Sequence, residues 1–180
     1  NSIYRCAFML DNGIGTKIDH KEACKYYKIS ADKGELKSIH RYACMLEDGI
    51  GVEMNKAEAF KYFKISAEKG DYDSIYHCAF MLENGIGTEI DREEACNYYK
   101  IAADFGDLRS IYRYAFMLEN GIGVKKDKKK SFLYYEKAVC EGDKKSEFGY
   151  KRLEKQLRND EIEKRNQIVM LFFTILINLY

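Results

Sequence analysis

The chain has 180 residues, 46% hydrophobic and 33% charged, and its 30 Lys and Arg against 29 Asp and Glu leave a net charge of +1. So even a balance gives no overall field of either sign, which excludes bulk attraction to nucleic acid. There is no proline and no tryptophan, while 15 Tyr and 10 Phe supply the large aromatic surface, a composition that suits long uninterrupted helices.

Gly-Ile-Gly occurs at Gly13-Ile14-Gly15, Gly49-Ile50-Gly51, Gly85-Ile86-Gly87 and Gly121-Ile122-Gly123, 36 residues apart each time. A fixed period of this size marks a stacked helical array, in which no unit can bury its apolar face alone. The units run 1–36, 37–72, 73–108 and 109–144, and a degraded fifth begins near Lys145. Units one and three agree at 26 of 36 positions, as expected if a two-unit block was duplicated.

In unit three, Ile75, Cys78, Ala79 and Leu82 form one apolar stripe, predicting helix A from about Asp73 to Asn84. Gly85 closes it in the left-handed conformation and Gly87 lets the chain turn back. No strand leads into these glycines and no Lys-Ser/Thr pair follows, so they are punctuation rather than a phosphate cradle. Helix B starts after Asp91 with Glu94 three residues on, a reciprocal capping box repeated at Asp19/Glu22 and Asn55/Glu58. In the fourth copy Asp127 precedes Lys128, Lys129 and Lys130, placing positive charge at the positive end of the helix dipole. Ala95, Tyr99, Ala102 and Ala103 are the inward stripe of helix B, and Gly106 closes it. Residues 145–167 read as a charged capping helix. Residues 168–180 are an apolar tail, about 20 Å long as a helix and too short to span a bilayer comfortably. It is read as a seal on the last unit, with a truncated membrane anchor flanked by Lys164 and Arg165 as the second reading.

The residues Ser74, Cys78, Ala79, Leu82, Gly85, Gly87, Thr88, Asp91, Ala95, Tyr99, Ala103, Gly106 and Asp107 carry a pattern that resembles the Sel-1-like repeat, a relative of the tetratricopeptide repeat. The likeness covers residues 1 to about 144. It departs at Leu10, Leu46, Leu82 and Leu118, where tyrosine is usual, and in helix B, where tyrosine stands for a frequent tryptophan. What it implies is an all-α fold, a right-handed α-α superhelix of 36-residue helix-turn-helix repeats, whose A helices line a concave face that gathers partner proteins.

The sequence adds to this a second pair at i, i+4 on each helix A: Tyr4/Phe8, His40/Cys44, Tyr76/Phe80 and Tyr112/Phe116. One turn on stand Asp11, Glu47, Glu83 and Glu119. By analogy with the tetratricopeptide helix, the aromatics anchor a partner polypeptide segment and the acidic rim selects basic residues. Arg5, Arg41, His77 and Arg113 are placed to pair with those acids. The alternative for the aromatics is packing against the neighbouring unit.

Cys6/Cys24 and Cys78/Cys96 alternate with Tyr42/Phe60 and Tyr114/Phe132, which predicts that the two positions of a pair touch across helices A and B, with the thiols free. His20, His40 and His77 have no zinc-like spacing to a cysteine or to one another. No Ser-x-x-Lys pair and no nucleophile, base and oxyanion set emerges, so neither cofactor nor metal is expected. The expected function is a non-catalytic scaffold binding protein. The alternatives are a cysteine-rich, β-lactamase-like hydrolase of the same repeat family and a membrane-tethered adaptor in protein degradation. No Asn-x-Ser/Thr acceptor occurs and the cysteines lack disulfide-like regularity, pointing to the cytosol. Residue 1 is Asn and the first unit begins at once, so further units are expected before it.

Overall fold

The structure, a computed structural model, describes residues 2–178; Asn1, Leu179 and Tyr180 lie outside it. Within the described residues there are nine helices and no strand: α1 Ser2–Asn12, α2 His20–Asp32, α3 Leu36–Asp48, α4 Lys56–Glu68, α5 Tyr72–Asn84, α6 Arg92–Asp104, α7 Leu108–Asn120, α8 Lys128–Cys140 and α9 Lys144–Asn178. Each helix packs on the next in chain order, so the chain is a solenoid of helix pairs, with odd-numbered helices as A and even-numbered as B through α8.

The turns follow the glycines. Gly49, Gly85 and Gly121 cap their helices in the left-handed region, and the Gly85 amide returns to the Met81 carbonyl. Gly87 has a second, more demanding role. Its φ is +67°, and a Cβ there would overlap the carbonyl of Lys56 and approach the Ala57 amide within 2.7 Å. The turn of one unit therefore sits directly on the start of helix B of the unit before, backbone against backbone. Gly51 and Gly123 sit in the same way on His20 and Arg92.

Half of the expected capping box is present. The side chains of Asp19, Asn55, Asp91 and Asp127 accept from the amides of Glu22, Glu58, Glu94 and Lys130 at 2.9–3.0 Å. The reciprocal bond to the cap amide is not made by the glutamate. Instead the amides of Asp19, Asn55, Asp91 and Asp127 donate to the carbonyls of Leu10, Leu46, Leu82 and Leu118. That bond ties helix B to its own helix A and takes the place the glutamate would fill at the cap amide, which is why Lys130 can stand in the fourth copy.

Of the alternating pairs predicted to touch within a unit, Tyr42 and Phe60 lie on one core, while Cys78 and Cys96 fall in different cores. Cys78 belongs to the core shared with unit two and Cys96 to the core shared with unit four. The helix B position packs toward helix A of the following unit, so Cys24 shares a core with Tyr42, Phe60 with Cys78, and Cys96 with Tyr114. Each of these junctions joins one small and one large side chain, which explains a two-unit rhythm by volume. At the last junction Phe132 stacks on Tyr150 at 4.8 Å. All six cysteines are free thiols.

The first turns of α9 repeat the plan of a helix A. Asp143 accepts from the Ser146 amide, as Asp107 does from Ser110, and Ser146 and Leu153 are buried. From Arg158 onward every described side chain is exposed, including Ile168, Val169, Met170, Leu171 and Phe172. No described helix is long and apolar enough to cross a membrane.

The seat of Gly87 yields a comparison. Gly15 and Gly87 have nearly the same φ, but at Gly15 an added Cβ meets only the tip of Met9 at 3.8 Å. Gly15→Ala should cost about 1 kcal/mol from conformation alone, whereas Gly87→Ala should cost on the order of 3 kcal/mol or more because neither backbone can give way. Thermal unfolding of the two variants checks this; equal losses would show that the turn does not seat on α4.

Candidate protein-interaction face

The candidate residues occupy equivalent places on successive A helices, and all are half-buried except Glu119, which is buried. Tyr4, Tyr76 and Tyr112 lean on the helix B tyrosines of their own units, Tyr27, Tyr99 and Tyr135, with ring centroids 5.9–6.0 Å apart. Phe8 and Phe80 stack on the preceding tyrosines at 6.2 and 6.3 Å. The tyrosines of the candidate pair thus do structural work within the unit, and the phenylalanines one turn on carry the rest of the apolar surface.

The four carboxylates are already engaged. Tyr99 donates its hydroxyl to Glu83 at 2.8 Å and Tyr135 donates to Glu119 at 3.4 Å; burial, then the neighbouring carboxylate, pushes both phenols up from their ordinary range. Across the unit boundary His77 lies 3.4 Å from Glu47, Arg113 lies 3.9 Å from Glu83, and Arg152 reaches Glu119 at 2.6 Å. Asp11 holds His20 at 2.9 Å. The first two cross-unit partners, His77 and Arg113, stand where the repeat puts them, on helix A of the next unit. In α9 that position is Gly149, where a Cβ would come within 2.7 Å of the Tyr135 ring. Arg152, one turn further along, supplies the charge instead.

Two open cavities lie along these residues. One, of about 420 Å³, is lined by Tyr4, Arg5, Phe8, Met9 and Ile14. The other, of about 430 Å³, spans α5, α7 and the start of α9, between Tyr76, Leu108, Arg109, Tyr112, Arg113, Asp143 and Lys145. Arg109 lies over the Tyr76 ring at 4.2 Å and is bonded to Asp73 and Asp107, so its charge is largely spent on the fold.

Unit two is built differently. His40 and Cys44 replace the Tyr/Phe pair, and Phe63 replaces the helix B tyrosine. His40 Nδ1 lies 2.9 Å from Asp71 Oδ2 and 3.0 Å from Ser74 Oγ, and its Nε2 lies 3.4 Å from Cys44 Sγ. The His77 ring stands 5.9 Å away from that of His40 and stacks on Phe63 at 4.4 Å. Burial opposes charge on His40, but the hydrogen bonds to Asp71 and Cys44 outweigh it and raise the imidazole to about 10. Burial likewise works against the Asp71 carboxylate, which His40 and Ser74 nevertheless hold down to about 2. Asp71 and Ser74 were not among the sequence candidates, although Asp71-x-x-Ser74 is the same helix start as Asp107-x-x-Ser110 and Asp143-x-x-Ser146, and that recurrence was the available signal. Among the described residues no group of three or more His, Cys, Asp or Glu could hold a metal ion.

Four stretches match the Sel1 repeat family model, residues 1–35, 36–71, 73–107 and 108–143. Among solved structures, a Sel1 repeat protein from Oxalobacter formigenes is similar with a TM-score of 0.79 and 26% identity over 83% of this chain and 61% of that one. A protective antigen of uropathogenic Escherichia coli strains, displaying the same repeat fold, gives 0.80 and 28% over 83% of this chain and 32% of that one. The chain therefore spans about three-fifths and one-third of the lengths of these two. Helicobacter pylori cysteine rich protein B, at 0.55 and 23% over 72% of this chain and 92% of that one, is alike in fold alone. No curated protein matches significantly.

The His40–Asp71 pair makes a pH prediction. His40, raised from 6.5 to about 10, stabilises the fold fully below about pH 6.5 and less as pH rises toward 10. Asp71, lowered from 3.8 to about 2, contributes above about pH 3.8 and loses that contribution as pH falls to 2. Asp71→Asn keeps a capping side chain but removes the charge. The Tm gap between it and the wild type should be widest near about pH 5.5, shrink as pH rises from about 6.5 toward about 10 and stay small above that; a gap independent of pH would rule the ion pair out.

Proposed function

The chain belongs to the Sel1 repeat family, and from that premise we propose that it holds a partner polypeptide on the face formed by its A helices. Sel1 repeat proteins are generally protein-interaction scaffolds and typically non-catalytic. The observation that carries the finer reading is the row of half-buried phenylalanines Phe8, Phe80 and Phe116. They stand at one repeated place, Phe8 beside an open cavity. Half-buried aromatics recurring at the spacing of a solenoid suit an extended or helical segment that places one apolar anchor per unit.

We assign Tyr4, Tyr76 and Tyr112 to supporting this row from below. Asp11, Glu47, Glu83 and Glu119 are assigned to fixing the face, since each already holds a phenol, an imidazole or a guanidinium. On this assignment the selection of a basic partner has no free carboxylate on the four positions to rest on. His40 and Cys44 interrupt the aromatic row at unit two. The proposal includes a reducing compartment, where free thiols persist.

The phenylalanines give the cleaner test because the tyrosines also hold helix B. A triple variant, Phe8→Ala, Phe80→Ala and Phe116→Ala, should lose the proteins that the wild-type chain captures from its native lysate by at least tenfold while helicity is retained. Undiminished capture by a folded triple variant would remove the A-helix face as the binding surface.

A further inference from the structure

Three of the four units place Tyr and Phe at the i, i+4 pair of helix A, and the second alone places His40 and Cys44. The departure is not scattered. On this one spot the structure converges a thiol, an imidazole whose Nε2 is 3.4 Å from the sulfur, and a carboxylate 2.9 Å from the other ring nitrogen. Asp71 is itself immobilised, because as the N-cap of α5 it accepts from the Ser74 amide at 2.9 Å and from the Ser74 hydroxyl. Its bond to Nδ1–H fixes the tautomer and aims Nε2 at the sulfur, the arrangement of nucleophile, base and orienting acid that activates a thiol.

The other groups around His40 do not undo this. From α4 the Phe63 ring approaches edge-on at 5.8 Å, and from α5 come Asp71, Ser74 and the His77 ring, the last paired with Glu47 of α3. Against burial, the hydrogen bonds to Asp71 and Cys44 favour the protonated imidazole, so the proton taken from sulfur stays on the ring until the carbanionic carbon accepts it. Cys44 is half-buried and reachable, whereas Cys24, Cys78 and Cys96 are buried, and burial pushes the Cys78 thiol up to about 12 and Cys96 up to about 11. Cys6 and Cys140 are exposed but have no histidine within one helical turn of sequence.

We propose that Cys44, activated by His40 and oriented by Asp71, is a nucleophilic modification site that takes up small electrophilic alkenes of the α,β-unsaturated carbonyl class. The thiol proton passes to His40 Nε2, the thiolate sulfur bonds to the β-carbon, and the π-electron pair moves toward the carbonyl. The proton on Nε2 then returns to the α-carbon, so the adduct is neutral and nothing leaves. An alkene is favoured over an acyl donor because Cys44 lies inside α3, where the backbone amides are spent in the helix ladder and cannot hold a tetrahedral oxyanion.

The test uses the full folded chain, a substoichiometric pulse of N-ethylmaleimide, and peptide mass mapping of all six cysteines across about pH 5.5 to 8.5. At about pH 6 Cys44 should be modified at least tenfold faster than Cys6 or Cys140. His40→Gln should remove that advantage while leaving the rates at Cys6 and Cys140 unchanged. Asp71→Asn, which keeps the cap, should lower the Cys44 rate several-fold and restore a steep rise with pH. Equal rates at Cys44 and the two exposed cysteines in the wild type would overturn the proposal. So would a Cys44 profile indifferent to both substitutions when circular dichroism shows the variants folded.

Discussion

Everything in this array depends on how closely one unit can sit on the one before it, and that approach is set by a glycine. At Gly51, Gly87 and Gly123 the turn lies on the first residues of the preceding helix B with no room for a Cβ. Contact between two backbones is harder than contact between side chains, because neither can change rotamer. It fixes the offset between units, and small buried residues such as Ala102, Ala103 and Ala138 then allow the helices to close. Once the offset is fixed, volumes at each junction must match, and the alternation of Cys with Tyr or Phe meets that requirement one junction at a time.

The same offset decides which polar groups meet. A carboxylate at the end of helix A finds the hydroxyl of its own helix B and the cation of the next helix A, as Glu83 does with Tyr99 and Arg113. Such a pair, partly exposed, contributes little to stability by itself. Its effect is on the surface: a carboxylate held from two sides is a poor recruiter of charge from elsewhere. On the proposed reading, what remains for a partner is the apolar part of the face, which the tyrosines of helix A support from beneath. The substitution of Arg152 for a cation at position 149 shows that this pairing persists even where α9 leaves the repeat plan.

The sequence was sufficient for the period, the two helices per unit, the left-handed cap at Gly85 and the buried stripe of helix B, since each depends on residues within a few positions of one another. The parts that were not legible depend on a neighbour. The seat of Gly87 needs Lys56 of the previous unit; the return bond of the capping box was assigned to Glu94 because the Leu82 carbonyl carries no side-chain signal. Cys78 and Cys96 vary together, and covariation within a unit looked like contact within a unit. The structure separates them, because in a solenoid the correlated partner of a position lies equally well one period away. Of the candidate face, the aromatic and acidic positions were identifiable by spacing, but that the acids were already occupied was a matter of three-dimensional register.

Unit two shows how such register turns a substitution into a new local chemistry. In units three and four the helix B phenol reaches an acid within the unit. Phe63 has no hydroxyl, so Glu47 keeps only the contact with His77 of unit three, and His77 in turn lies flat on Phe63 with only 4° between the rings. His40 likewise reaches from α3 to the start of α5, to Asp71 at the end of its own unit and to Ser74 of the next. The hydrogen bond between helix B and its own helix A is absent here, and a bond from His40 to Ser74 across the boundary is added. In an array whose stability is a sum of unit and junction terms, that exchange moves stability from unit two to its junction with unit three. The two units are thereby coupled more tightly through polar contacts than the volume match of Phe60 with Cys78 would couple them alone, and the polar cluster they share is held in place from both sides.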